Sequence, residues 1–405
     1  MFRYILFLIF PTFLLCSKKQ IPAPVPLPET VVFKRDNRVY SEDELGDLIF
    51  NGQIFTFVAY ADGVELQNFG IRERFLIYQS LFHLKNLDKL QGIDIALLLP
   101  EKVIGRYSFS VTNAVLSYLI SKKESFRVKS YYISNEENSS IASAIENIIR
   151  DGFQFVIAPM TEEGANIIAN LSPDIFFYFP TLHKDRITKR NIFFYFGGIN
   201  YRRQIHELLK YFDGGKISLF YDKSPKGREL NQIVLEELNS SFPDANITVI
   251  REVGRRDTDF SDLYKDNNDS LHSSFFINTT KVKSSILLAQ LTAYDQQPKL
   301  ILSTQINYSP ILLSMTQPID RENLVTANSI SNSHREIADT NYLFNNDIVY
   351  DWINYSATIG TDLFYHLITG KPRIYSEPIE NNQVIYTIHM MRSREREFYE
   401  DKRVK

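Results

Sequence analysis

The sequence predicts an α/β fold in which two lobes, each a mostly parallel sheet flanked by helices, follow a small N-terminal α+β preface. From Ile93 onward, short apolar runs alternate with amphipathic stretches, which is the pattern of parallel strands joined by crossover helices. The order of elements before Gly197 and Gly198 is repeated after them. With 405 residues, 44% of them hydrophobic, the chain is too long for one compact domain.

These patterns divide the chain into a leader, a tether, a preface, two lobes and a solvated charged tail: residues 1–16, 17–30, 31–91, 92–196 with about 320–370, 197–319 with about 371–391, and 392–405. In the preface, Ser41 and Glu44 form a capping box that predicts a helix over Ser41–Phe50. The apolar run Ile54–Tyr60 predicts a strand, and a helix is expected from Arg72 to Leu90 after a turn at Asp62 and Gly63.

Nine strands are predicted in the two lobes: Ile93–Leu99, Arg127–Ile133, Phe153–Ala158, Ile175–Phe179, Ile192–Phe196, Lys216–Tyr221, Ile247–Arg251, Ser274–Ile277 and Lys299–Ser303. Amphipathic helices are predicted between most of them. A long helix over Ile348–Ile368 and a hairpin-like segment over Arg373–Met391 are expected to follow.

The N-terminus has the layout of a signal peptide, with Arg3 before the apolar run Tyr4–Leu15. That run is too short to span a hydrocarbon core of ~30 Å. Cys16, the only cysteine, follows it directly and resembles a lipobox, which implies acylation and, without Asp at position 17, sorting to the outer membrane. Because Leu15 stands where lipoboxes carry a small residue, an ordinary cleaved signal or an uncleaved anchor stays open. Alternating prolines from Pro22 to Pro28 favour an extended tether.

Composition and motifs argue against several function classes. The 45 basic and 48 acidic residues are spread along the chain, so nucleic acid is not expected as a partner. The sequence lacks the HExxH, GxSxG, GxxxxGK and GxGxxG patterns, and its seven histidines are scattered. His206 and His366, on predicted helices, are interpreted as packed or surface residues. We therefore expect no catalytic residue, no metal site and no cofactor.

Three segments carry a family resemblance: Ile95–Pro100 with Gly105, Val156–Thr161, and Phe220–Lys223 with Gly227. In this order and spacing they resemble type I periplasmic-binding folds over residues 92–391. The nearest resemblance is to the LppC family, outer-membrane lipoproteins that activate peptidoglycan synthases, with branched-chain amino-acid receptors close behind. The preface is too short for the helical-repeat domain of that family. Amino-acid receptors place an aromatic side chain where Pro225 and Lys226 stand here.

In such folds a ligand lies at the carboxyl ends of the strands, where helix N-termini point unpaired N–H groups at it. That rule selects ten candidate cleft residues: Glu101, Tyr107, Ser108, Thr161, Glu162, Asp222, Lys223, Asn278, Thr279 and Thr280. The alternative is that these Ser, Thr and Asn side chains only cap helices.

Four asparagines lie in extended glycosylation sequons, with an acid two residues before and Ser or Thr two residues after: Asn138, Asn239, Asn246 and Asn268. Chance predicts about 0.4 such matches for a chain of this composition, so glycosylation is predicted at these sites, with coincidence as the alternative.

Two functions follow. The first is a non-enzymatic envelope lipoprotein, anchored to a membrane through lipid, that uses its binding-like module to contact the periplasmic domain of another envelope protein, such as cell-wall machinery. The alternative is a receptor that closes on a small molecule and feeds a transporter or sensor. An open polar crevice would favour the receptor, and a crevice filled by side chains such as Tyr107 or Ile104 would favour the first.

Overall fold

A computed structural model of the chain describes residues 38–62, 64, 66–82, 93–261, 273–331 and 334–402. The predicted leader and tether lie outside the described residues, as do Cys16, Gly63 and Asn268. The chain divides into two units, Met1–Gln91 and Gly92–Lys405.

The first unit contains the helices α1 (Glu42–Phe50), α2 (Ile54–Ala61) and α3 (Phe69–Leu81). The predicted capping box of α1 is confirmed: Ser41 Oγ accepts from the Glu44 N–H, and the Ser41 N–H donates to the Glu44 carboxylate at 2.8 Å. The predicted strand over Ile54–Tyr60 is wrong, because this segment is α2. Its last five residues are all buried, and periodicity cannot separate a short buried helix from a buried strand.

The second unit contains two seven-stranded sheets. Its strands are β1 (Ile93–Pro100), β2 (Phe126–Ile133), β3 (Phe155–Ile157), β4 (Phe176–Phe179), β5 (Phe194–Phe196), β6 (Lys216–Asp222), β7 (Asn246–Val253), β8 (Ser273–Asn278), β9 (Leu300–Ser303), β10 (Leu324–Asn328), β11 (Ile379–Glu380), β12 (Gln383–Val384), β13 (His389–Ser393) and β14 (Phe398–Glu400). All nine predicted strands are confirmed.

Helices cover both sheets. They are α4 (Glu101–Ile104), α5 (Tyr107–Ser121), α6 (Asn138–Arg150), α7 (Glu162–Leu171), α8 (Tyr201–Leu209), α9 (Pro225–Ser241), α10 (Lys281–Ala293), α11 (Pro310–Met315), α12 (Arg335–Leu343) and α13 (Trp352–Thr369). No helix in the described part of the chain is long and apolar enough to cross a membrane.

The two sheets repeat one topology. Their strand orders are β11-β12-β5-β4-β3-β1-β2 and β14-β13-β10-β9-β8-β6-β7, and the first five strands of each sheet along the chain run parallel. β1 is buried on both faces: Leu97 and Leu99 enter one apolar cluster, and Ala96 and Leu98 enter another. Burial on both faces explains why this strand is a continuous apolar run in the sequence.

The chain crosses between the lobes three times, after β5, after β10 and after β12. Both α12 and α13 pack on α5, and so belong to the first lobe. At the first crossing, the Gly197 carbonyl accepts from Tyr386 Oη at 2.8 Å and from Ser356 Oγ at 3.1 Å. A Cβ on Gly197 would lie 2.1 Å from Tyr178 Oη, so this crossing requires glycine.

Parts of the predicted division into lobes are wrong. β10 lies in the second sheet, although the sequence predicts residues 320–370 in the first lobe. β11 and β12 lie in the first sheet, although the sequence predicts residues 371–391 in the second lobe. An apolar run predicts a strand, but it carries no information about which sheet accepts that strand.

The predicted solvated tail is also wrong over residues 392–402, the part of it that the structure describes. Residues 389–400 form β13 and β14 at the edge of the second sheet, and Phe398 is buried. The charges are used locally, since Arg392 Nε pairs with Asp401 at 2.5 Å. Arg321, which is 1% exposed, donates to the carbonyls of Arg394 and Glu395 in the hairpin turn. Composition alone predicts a solvated tail because Arg321, which binds the hairpin turn, lies more than 70 positions earlier in the sequence.

Candidate functional site

Side chains that follow the carboxyl ends of strands in the two sheets contact each other, and the boundary between them is called the crevice. Arg186, in the loop after β4 of the first lobe, pairs with Glu229 on α9 of the second lobe. The same guanidinium lies 3.7 Å from Glu162 at the start of α7. The phenol of Tyr107 on α5 lies near Tyr201 on α8. Burial is the main cause that raises the pKa of Tyr201, and the interaction with Tyr107 adds to it. In this state the two edges are in contact.

On the second-lobe side of the crevice, Lys226 lies at the start of α9. Its Nζ is 4.7 Å from the centre of the Tyr201 ring and 3.3 Å from the Glu229 carboxylate. Loss of hydration lowers the pKa of Lys226 to about 8, and Arg186 adds to this effect, while half of the side-chain surface stays in water. The crevice therefore brings together two cations, two carboxylates and two phenols.

Two candidate residues of the second lobe are buried and already hydrogen-bonded. Asn278 Oδ1, at the end of β8, accepts from Thr304 Oγ1 at 2.9 Å, and Thr279 Oγ1 lies 2.8 Å from Ser284 Oγ. Next to them, a network of buried amides and hydroxyls satisfies itself: Gln204, Gln305, Asn328 and Ser329. Asn278 Nδ2 is the exception, because this buried donor has no hydrogen-bond partner in the structure.

The remaining second-lobe candidates lie nearer to solvent. Asp222 is half-buried, and Lys223 and Thr280 are exposed. Thr280 precedes α10 without a side-chain hydrogen bond to the helix, so it does not act as the cap that the alternative interpretation expects. The cap before α9 is Ser224, whose Oγ accepts from the Gly227 N–H at 3.1 Å.

On the first-lobe side, the N-terminus of α7 is occupied by a carboxylate of the protein itself. Thr161 caps α7 by accepting from the Gly164 N–H at 3.3 Å, and the Thr161 N–H donates to Glu136 at 2.9 Å. A Cβ at position 164 would lie 2.6 Å from that carboxylate, so Gly164 makes room for it. A ligand anion at this helix start would have to displace Glu136.

Glu101 and Ser108 do not join this cluster by any hydrogen bond in the structure. Glu101 is exposed at the start of α4, and Ser108 is buried and donates to the Gly105 carbonyl at 2.8 Å. Ser108 therefore has a structural role. Of the ten candidates, Glu162 and Tyr107 lie in the group that bridges the crevice.

Sequence reasoning missed Arg186, Tyr201 and Glu229 as cleft residues, and noted Lys226 only as a departure from amino-acid receptors. Their positions were readable, because each follows a predicted strand by a few residues or opens the next helix. The rule considers only residues close to a strand end, and so it passes over side chains farther along the chain, such as Arg186, that reach across to the other lobe.

A small cavity lies where the three crossings meet, with a volume of about 50 Å³ for the centres of water molecules. His183, Gly198, Ser329 and Tyr386 contribute to its lining. That volume holds a few waters in this state. Among the residues that the structure describes, no three His, Cys, Asp or Glu side chains come together as metal ligands.

Solved structures resemble the second unit over almost their whole length. A branched-chain amino-acid ABC transporter protein of Rhodospirillum rubrum matches with a TM-score of 0.60 at 12% identity, covering 76% of this chain and 100% of that one. The second unit has the two-lobed type I periplasmic-binding fold. The Thermus thermophilus branched-chain amino-acid transporter protein with bound valine matches at a TM-score of 0.55 and 16% identity, covering 76% and 95%. LivJ of Streptococcus pneumoniae, in complex with isoleucine, matches at 0.52 and 12%, covering 76% and 98%.

These identities establish the fold only. No family profile and no curated protein sequence matches the chain. The predicted resemblance to branched-chain amino-acid receptors is confirmed at the level of fold, whereas the nearer resemblance to the LppC family stays a prediction.

Proposed function

We propose that this chain is a non-enzymatic solute-binding protein of the cell envelope, whose lobes close on a small molecule that it delivers to a transporter or sensor. The observation that carries the proposal is the match of the second unit to 95–100% of the length of binding-fold proteins, including structures with valine or isoleucine bound. The proposal therefore favours the second of the two functions that the sequence suggested.

The crevice supports a polar ligand with an acidic group. Arg186 and Lys226 supply positive charge, and Tyr107 and Tyr201 supply flat surfaces and hydroxyls. Lys226 stands where amino-acid receptors place an aromatic side chain, so a purely apolar ligand side chain would lack that cover. A ligand carboxylate would replace Glu229 as the partner of Arg186 when the lobes open and close again.

The test is native mass spectrometry of the protein purified from its own host, followed by calorimetric titration with the identified solute or, failing that, with a panel of amino acids and small organic acids. We expect a one-to-one complex that is lost on denaturation and weakened at least about tenfold in Lys226→Met, since a charge-assisted hydrogen bond is lost. Lys189→Met, at an exposed position in the loop that contains Arg186, is the matched control and should bind normally. Absence of any bound or titratable solute would contradict the proposal.

A protein-interaction role is the second candidate, and two observations favour it. A crevice filled by side chains such as Tyr107 is expected for an interaction module, and Tyr107 lies at the contact between the lobes. The amides of Gln204, Gln305 and Asn328 at the crevice edge of the second lobe are buried and bonded to one another, which leaves few of them for a solute. In that case the partner would be the periplasmic domain of another envelope protein. Cross-linking in the host that captures one such domain, combined with no solute by mass spectrometry, would select this candidate.

We also propose that the chain is exported to the periplasm and held to a membrane, the outer one where the host has it, through lipid on Cys16. Support comes from the sequence alone: the apolar run that ends at Leu15 and the prolines after it. The Cys16→Ala variant should lose incorporation of labelled fatty acid and move from the membrane fraction to the soluble fraction. A variant that stays lipid-labelled would contradict the anchor at this residue.

A further inference from the structure

The chain contains eight Asn-x-Ser/Thr triplets, which fall into two groups by the residue two positions before the asparagine. Four have an acid two residues before the asparagine, namely Asn138, Asn239, Asn246 and Asn268, and four do not: Asn170, Asn278, Asn307 and Asn354. The three described members of the first group are all exposed. In the second group, all but Asn170 are at most 3% exposed.

The buried triplets have structural roles. Asn307 Nδ2 donates to Ser303 Oγ at 2.8 Å, and Asn354 Nδ2 donates to the Asp347 carbonyl at 2.8 Å. By contrast, the carboxamides of Asn138, Asn239 and Asn246 make no hydrogen bond within the described part of the chain. Among the described triplets, all three with the acid are exposed, whereas three of the four without it are buried.

We propose that Asn138, Asn239 and Asn246 are N-glycosylation sites. The donor would be an oligosaccharide linked to a lipid pyrophosphate, and the transferase would recognise the acid and the hydroxyl on either side of the asparagine. In the transfer, Asn Nδ2 forms a bond to the anomeric carbon as the bond from that carbon to the pyrophosphate oxygen breaks. The electron pair of the broken bond leaves with the lipid pyrophosphate, and the amide proton passes to a base of the transferase.

In the folded chain, the carboxylates that such an enzyme must recognise at two of the sites are already bound to other parts of the protein. Glu136, which precedes Asn138, accepts from the Thr161 N–H, and Glu237, which precedes Asn239, binds Arg202 Nη1 at 2.8 Å. These carboxylates serve the fold once it has formed. Transfer at both sites must therefore precede folding of their helices or await local opening of them.

At Asn246, the restriction comes from backbone and side-chain hydrogen bonds of strand β7. The Asn246 N–H donates to the Gly215 carbonyl at 3.1 Å, and Thr248 Oγ1 lies 2.7 Å from Ser218 Oγ in the β6–β7 pair. The preceding acid, Asp244, is exposed and makes no hydrogen bond or ion pair with any residue that the structure describes. Release of the first residues of β7 would suffice here, so Asn246 is the site most open to modification after folding.

The positions of these sites fit a working crevice. Asn239 is in the last turn of α9 and Asn246 begins β7, so both lie at the end of the second lobe opposite the carboxyl ends of its strands. Glycans there would leave the crevice unobstructed. Asn138 begins α6 after β2, on the crevice side at the edge of the first sheet.

The test is glycopeptide mass spectrometry of the full-length protein from the envelope of its own host. We expect glycan at Asn138, Asn239 and Asn246, and none at Asn170, an exposed internal control that, like Asn239, lies in the last turn of its helix. Glu237→Gln should lower occupancy at Asn239 at least about tenfold without changing Asn246, since the charged recognition group is lost at one site only. Exported protein with unmodified peptides at all three sites would overturn the proposal.

A second arm tests recognition and timing. Equal modification of Asn170 and Asn239 would show that the acid is not read, which would overturn the selection of these sites. In a reaction with transferase and lipid-linked oligosaccharide, urea-unfolded chain diluted into the mixture should be modified at Asn138 and Asn239 more than folded chain. Equal modification of both forms would refute the timing.

Discussion

Replacing Arg321 with Met tests whether the C-terminal hairpin is part of the second lobe. Arg321 Nη1 donates to the Thr316 carbonyl at 2.6 Å, and Nη2 donates to the carbonyls of Arg394 and Glu395 at 2.8 and 2.7 Å. A hydrogen bond to a charged group contributes roughly 1.5–3 kcal/mol, and the three bonds share one guanidinium, so their effects do not add. Methionine fills similar space but donates nothing, and the turn carbonyls can regain water. We expect a loss of about 3 kcal/mol in the free energy of unfolding.

The measurement is urea unfolding followed by far-ultraviolet circular dichroism, with Arg396→Met, an exposed position in the same hairpin turn, as the matched control. That control should stay within about 0.5 kcal/mol of the original chain. Deleting residues 392–405 should cost more than Arg321→Met, because it also removes β14 and Phe398, and loss of a buried Phe side chain alone costs about 3–5 kcal/mol. If Arg321→Met and the deletion both unfold like the control, the hairpin is a solvated tail after all and the reasoning from buried contacts is refuted.

Three further changes follow from contacts described in the structure. Gly164→Ala should destabilise by about 1 kcal/mol, because its Cβ would lie 2.6 Å from the flexible Glu136 side chain and force that carboxylate off the Thr161 N–H. Gly46→Ala in α1, whose Cβ would be 3.6 Å from its nearest neighbour, should stabilise by up to about 1 kcal/mol. Thermal unfolding that shows the same sign for both would contradict this. Asp362→Asn should lower the free energy of unfolding in urea by about 3 kcal/mol, since this buried carboxylate accepts from Tyr118 Oη at 2.6 Å and pairs with Arg373. An unchanged urea midpoint would show that the ion pair is dispensable. The pKa of Lys226 is lowered from 10.5 to about 8, so between these pH values the unfolded chain binds more protons and the free energy of unfolding should rise with pH. Lys226→Met should lack that rise. Parallel profiles of unfolding free energy against pH for the two chains would exclude the shift.

The sequence was sufficient for the strands whose burial is continuous. β1 and β8 are buried on both faces or nearly so, and the apolar runs Ile95–Leu99 and Phe275–Ile277 within them indicate this directly. β10 was missed although all five of its residues are buried, because Thr326 and Asn328 interrupt the apolar run. Asn328 is tolerated there since its side chain bonds to Gln305, a contact across 23 positions in the chain.

The site was harder to predict than the fold. Position at the carboxyl end of a strand selects Asn278 as a candidate, but only the structure shows that Thr304 Oγ1 donates to its side-chain oxygen. The pairing of Arg186 with Glu229 joins two lobes, and no local pattern encodes it. Periodicity predicts which face of an element is buried, whereas contacts between lobes depend on how the chain closes in space.

The carbonyl of Gly197 has a consequence for following lobe motion. It belongs to the first crossing, yet it accepts hydrogen bonds from Tyr386 on the third crossing and from Ser356 on α13 of the first lobe. A rotation of one lobe against the other would change these two bonds together, and a carbonyl stretching frequency responds to the number and length of its hydrogen bonds. The infrared stretching frequency of a single ¹³C-labelled carbonyl at Gly197 would therefore report opening and closing of the two lobes. The label requires no change to any side chain.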